Sequence, residues 1–117
     1  MKQLILFLTL PLLAICCNPV QKANELDLLV DSVYDRLSME EKIAQLTGIE
    51  PAEIMVDGKL SIEKCREVMP YGIGHICQYG DRLDVSPEEL RDFVKAIQDY
   101  LINETPAGIP AIFQDHQ

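Results

Sequence analysis

Polar side chains able to bind or to move a proton collect in three places. The first is Gln114, Asp115 and His116, directly after the apolar run Ile109 to Phe113. A carboxylate and an imidazole at the carboxyl end of a buried strand stand where parallel α/β folds carry their chemistry. The second place is His75 and Cys77, which share one side of an extended segment by its period of two. With Cys65 they would make three potential metal ligands. They lack the paired ligand spacing of a structural zinc site, so burial is the simpler reading and no metal is assigned. The third is the acidic set Asp81, Asp84, Glu88 and Glu89. It lacks the spacing and central glycine of a calcium loop, and helix capping accounts for its last members. Tyr71 and Tyr79 flank the His75 segment and read as packing residues. No glycine-rich phosphate loop and no Ser-His-Asp order is present, and no cofactor is implied.

The elements that must position these groups follow from periodicity and punctuation. Leu26, Leu29, Val30, Val33 and Leu37 recur at helical spacing and predict a helix beginning near Glu25. Ser38-Met-Glu-Glu41 is a capping box that starts a second helix, with Ile43 and Leu46 expected inside and Gly48 as its stop. Asp57-Gly58 marks a tight hairpin, and Ser61 caps a short helix carrying Ile62, Cys65 and Met69 on one side and closed by Pro70. Tyr71 to Cys77 reads as a strand buried on both faces. A polar loop runs from Gln78 to Val85. Ser86, Pro87 and Glu89 then open the longest amphipathic helix, whose stripe is Leu90, Phe93, Val94, Ile97, Tyr100 and Leu101. Pro106 and Gly108 lead into the second strand, Ile109 to Phe113, with Pro110 expected at its start. Strand, helix, strand is one right-handed crossover unit, and two strands alone do not bury their own apolar faces.

The 117 residues allow at most one small domain, and 48% hydrophobic with 25% charged residues excludes a wholly disordered chain. The net charge of −9 repels phosphate backbones, which argues against a nucleic-acid partner. Residues 1–17 have the architecture of a signal peptide: Lys2, then the apolar run Leu4 to Ile15, too short to span a bilayer. The run ends Leu13-Ala14-Ile15-Cys16-Cys17, which resembles a lipoprotein cleavage box. The small residue before Cys17 favours that cysteine for lipid attachment over Cys16, which follows bulky Ile15. An ordinary secretory signal is the alternative. Residues 18–24, polar and containing Pro19, read as a tether, so the folded part is expected over 25–117. Export would place Cys65 and Cys77 in an oxidising compartment, periplasm or cell surface, where a disulfide can form, but each sits among apolar residues as a buried free thiol would.

Four segments in order carry a family resemblance: Arg36-Leu-Ser-Met-Glu-Glu-Lys-Ile-Ala-Gln-Leu46, Gly72-Ile-Gly-His-Ile76, Glu88-Glu-Leu-Arg91 with Ala96-Ile-Gln98, and Gly108-Ile-Pro-Ala-Ile-Phe113. Together they resemble the opening of glycoside hydrolase family 3, over nearly all of residues 25–116. The resemblance implies an α/β fold, the N-terminal fragment of a (β/α)8 barrel with preceding helices, Tyr71–Cys77 and Ile109–Phe113 being its first two parallel strands. It implies an exported, retaining exo-glycosidase acting on terminal β-linked sugars of the β-glucosidase or β-xylosidase type, through one nucleophilic carboxylate and one acid/base carboxyl. In the family both lie further along than this sequence reaches, so no catalytic residue is assigned here and the isolated chain is expected to be inactive. The family's acidic residue after the second strand, which binds hydroxyls of the sugar, falls on His116 without gaps and on Asp115 with a one-residue shift. The partners implied are a carbohydrate substrate and, through the lipid, a membrane. The alternative from another class is a small surface lipoprotein that serves as a binding or scaffold element, or a gene remnant.

Overall fold

The computed structural model describes residues 19–78 and 85–114, with side chains from Asn24 onward. The chain divides into two compact units, residues 1–32 and 33–117. Of the first, the described part is helical: α1 spans Pro19–Arg36 and so begins six residues before Glu25, with a proline in the first turn where its missing N–H costs nothing. Leu26, Leu29 and Val30, the apolar residues that recur at helical spacing, are exposed.

In the second unit the helix starts stand where the capping signals put them. α2 spans Met39–Gln45. The Glu41 amide donates to Ser38 Oγ at 3.2 Å, and the Ser38 amide donates to Glu41 Oε2 at 2.6 Å. This box turns Glu41 inward, and Glu41 is the buried residue of α2. Ile43 and Leu46 are 57% and 85% exposed, contrary to expectation. Gly48 is also not a helix stop. Leu46 ends the helix in a right-handed conformation, and Gly48–Ile49 forms a short strand, β1. A 3-10 turn over Pro51–Ile54 follows, then the hairpin of β2 (Met55–Val56) and β3 (Lys59–Leu60). Its corner residues Asp57 and Gly58 have φ of 51° and 75°, the signature of a type I′ turn. Ser61 Oγ accepts from the Lys64 amide to start α3, Ile62–Val68. Helix α4, Pro87–Glu104, carries the full capping box between Ser86 and Glu89.

Both remaining strands are shorter than expected, for local reasons. β4 is His75–Cys77 rather than Tyr71–Cys77. Gly72 has φ of +94°, and the Gly74 amide donates to Ala44 O and Thr47 O at the end of α2 instead of to a strand. β5 is Ile112–Gln114 rather than Ile109–Phe113. Pro110 has no amide to give, and the N–H and C=O of Ala111 are both taken by the side-chain amide of Gln98, at 3.0 and 2.8 Å.

The sheet that results has three parallel strands, in the order β1–β4–β5, where two were expected. Gly48, His75 and Ile112 form one row across it, and Ile49, Ile76 and Phe113 the next. Ile49 and Ile76 lie in a single core with Cys65 of α3, Met69 at its C-cap, and Ile97, Tyr100 and Leu101 of α4. Both crossover helices therefore cover the same face. They are tied to each other by Tyr100 Oη, which lies 3.2 Å from both Cys65 O and Met69 O, and by the Arg66–Glu104 ion pair at the surface. The fold is α/β. No helix among the described residues is long and apolar enough to cross a membrane.

Candidate functional site at the carboxyl edge of the sheet

The carboxyl ends of the three strands carry Glu50 after β1, Gln78 after β4 and Gln114 at the end of β5. The Gln78 amide donates to Gln114 O at 2.9 Å, which carries the ladder between β4 and β5 one step past Cys77. The Glu50 amide donates to Glu53 Oε1 at 3.0 Å, fixing the chain as it leaves β1. Three polar side chains on neighbouring strand ends are the usual place for ligand contacts in a parallel sheet, because backbone dipoles and loops converge there while the core stays closed.

The second row of chemistry lies on the sheet face opposite the helices. A Cβ placed on Gly48 would stand 3.3 Å from Cys77 Sγ and 3.4 Å from His75 Cβ. Gly48, His75 and Cys77 therefore share that face, as the period of two predicted for the last pair. Ile112 continues it at 62% exposure, and Gln114 is exposed as well. On this face Gly48 is exposed, and His75 and Cys77 are half-buried. The absence of a side chain on Gly48 leaves a notch beside His75 into which Cys77 leans.

Cys65 belongs to the other side. It is fully buried among the helices, and burial pushes its thiol up to about 11. The sheet thus separates it from His75 and Cys77, both cysteines are free thiols, and among the described residues no three His, Cys, Asp or Glu side chains are grouped to hold a metal. Glu88 and Glu89 are exposed residues of the first turn of α4. Bonds from Ser86 hold the Glu89 carboxyl below its ordinary range, which is the capping role assigned to it. Tyr71 is 48% exposed, ahead of β4 at its amino end.

Asp115 and His116, the residues expected to meet substrate, lie outside the described residues, directly beyond Gln114. Cys16, Cys17, Tyr79, Asp81 and Asp84 also lie outside them. What the sequence did not single out are Glu50 and Gln78. Glu50 was hidden because a two-residue strand has no period of its own. Gln78 is set apart by a backbone φ of +55°, which residue type alone does not announce.

Two apolar surface grooves lie elsewhere. One, of about 300 Å³, is lined by Ile43, Met69 and Tyr71 near the amino end of β4. The other, of about 290 Å³, runs between the β2–β3 hairpin and Phe93 of α4. Neither includes a residue of the carboxyl edge. In comparisons with known proteins, no family model matches the chain, and no curated protein does.

Proposed function

We propose that these residues open the (β/α)8 barrel of an exported, retaining exo-glycosidase that hydrolyses terminal β-linked sugars. The observation that carries the reading is the order β1–β4–β5 with both crossover helices on one face. Right-handed crossovers that keep to one face step the sheet always in the same direction, and a sheet wound in that way curls toward closure. A doubly wound sheet does the same within each half and reverses only at its switch point, so the reading takes the next crossover to keep to this face. The face opposite the helices, with His75, Cys77 and Ile112, then becomes the barrel interior, and the edge with Glu50, Gln78 and Gln114 becomes part of the active-site rim. The resemblance of the four ordered segments to glycoside hydrolase family 3 supplies the reaction class.

In this reading Asp115, or His116 in the ungapped alignment, fixes the hydroxyls of the terminal sugar just past Gln114. The two catalytic carboxyl groups come from further along the protein. A carboxylate suits the binding role because it accepts from two hydroxyl donors at once and so orients the ring before bond cleavage. The same reading places a lipid on Cys17, or on Cys16, and the enzyme at the outer side of a membrane.

The test uses the longest protein encoded with these residues. It should hydrolyse 4-nitrophenyl β-glucoside or β-xyloside with retention at the anomeric carbon, and the 117-residue chain alone should not. Loss of roughly 100-fold in kcat/KM is expected for Asp115→Asn. Absence of hydrolysis of every β-glycoside offered, or inversion of configuration, would overturn the proposal. Incorporation of labelled palmitate, abolished by Cys17→Ser, checks the anchor.

A further inference from the structure

The Gln98 carboxamide makes two bonds to one residue of another element. Its Nε2 donates to Ala111 O at 2.8 Å, and its Oε1 accepts from the Ala111 amide at 3.0 Å. The helix behind it is held firmly, with Ile97, Tyr100 and Leu101 in the core. Ala111 is the one residue at the start of β5 that answers both bonds. Pro110 before it has no N–H, and the Ile112 amide after it is spent on Gly74 O at 2.8 Å. The clamp therefore opposes a slip of β5 by one residue in either direction. Such a slip would turn each side chain of the strand to the other face and exchange Asp115 for His116 at the strand's end. Burial alone sets this register weakly, because Ile112 and Gln114 are exposed and Phe113 is only half-buried.

We propose that Gln98 is a positioning residue for sugar binding: by locking the register of β5 it presents Asp115, rather than His116, to the hydroxyls of the terminal sugar. The proposal rests on the glycosidase reading above and deepens it by naming what aims the sugar's ligand. Gln98 touches no substrate itself and acts through the strand, four residues before Asp115 at Ala111. The leverage is large, since a group that holds substrate loses about 100-fold in rate when misplaced by about 1 Å.

The experiment is a double-mutant cycle in the longest encoded protein, Gln98→Ala against Asp115→Asn, read as kcat/KM on the β-glycoside well below the thermal midpoint of each variant. Gln98→Ala should lower kcat/KM by about 10-fold in the otherwise unchanged protein. In the Asp115→Asn protein the same change should cost less than about 2-fold, because the group that Gln98 aims is already disabled. A merely structural role would lower the folded fraction and so reduce both backgrounds by one factor. Gln98→Asn keeps the carboxamide on a shorter stem; it should show the same coupling with a smaller loss, and it carries the cycle if Gln98→Ala does not fold. Equal factors in the two backgrounds, or an unchanged kcat/KM on removing the carboxamide, overturn the role of Gln98 and leave the glycosidase reading standing. A wild-type protein without glycosidase activity overturns that reading and this proposal with it.

Discussion

One residue, Gln98, holds the sheet to its helix by hydrogen bonds rather than by hydrophobicity. Gln98 closes both backbone groups of Ala111 with one carboxamide, so the strand β5 starts one residue later, fixed in register against α4. Removing that amide leaves a part-buried N–H and C=O without partners, at a cost of about 1–3 kcal/mol for Gln98→Ala. Gln98→Glu is more diagnostic. Its carboxylate can accept from Ala111 N–H but cannot donate to Ala111 O. The neutral acid is therefore favoured in the folded state, the folded pKa is raised, and stability is lost as pH rises through it. Urea midpoints should accordingly fall from about pH 4 to pH 7 relative to wild type. A flat difference would mean that the Ala111 carbonyl does not need its donor. Cys65 gives a second pH signature. Its thiol keeps its proton up to about 11 in the fold, against an ordinary value of 9.0. The unfolded chain loses that proton first, so stability is complete below pH 9 and falls as pH rises through 11. Tyr100, raised chiefly by its own burial, adds to the same slope. Cys65→Val should flatten the slope without removing it, and peptide mapping after thiol alkylation of the native protein should find Cys65 unlabelled.

Helices and strands differ in how far their causes lie along the chain. Each capping box is written within four residues, and Ser38–Glu41 and Ser86–Glu89 start helices as a purely local reading predicts. The hairpin at Asp57-Gly58 is equally local. The strands are not. β1 is two residues long and exists because His75 and Ile76 lie beside it. β4 starts late because Gly74 is occupied by the end of α2, thirty residues earlier in sequence. A period of two cannot be read from two residues, and a glycine's obligation to a distant carbonyl leaves no mark in its neighbours. The exposure of Ile43 and Leu46 escaped notice for a related reason: apolar spacing says which face of α2 is apolar, not whether anything meets it. The junction of α2 and β4 yields its own prediction. A Cβ on Gly74 would stand 2.0 Å from Gln45 O, and backbone cannot step aside as a side chain can. Gly74→Ala should destabilise the protein by about 3 kcal/mol or more, while Gly58→Ala, with nothing within 4 Å, pays only for its positive φ. Comparable urea midpoints for the two variants would show that the α2 end is free to move off β4.

At the scale of the molecule, the question is which side of the sheet meets water. A parallel sheet is normally covered on both faces, because neither face is built to be solvated. Here the helix side is closed by Ile76, Ile97 and Leu101, all fully buried, while Ile112 on the other side is 62% exposed. The barrel reading says that later strands and their side chains fill that space in the working protein. Ile112→Lys separates the possibilities because lysine there has opposite consequences in the two cases. In the 117-residue chain the ammonium group meets water, so helix content should be unchanged and self-association and binding of an apolar dye should decrease. In the longest encoded protein the same lysine would be driven into a packed interior without a partner. Folding should then fail, or the protein should lose about 3–5 kcal/mol, with glycosidase activity lost in step. Leucine at the same position controls for shape and should be tolerated in both proteins. If lysine proves harmless in the longer protein too, this face is a solvent face, the sheet does not curl around it, and the barrel loses its first three staves.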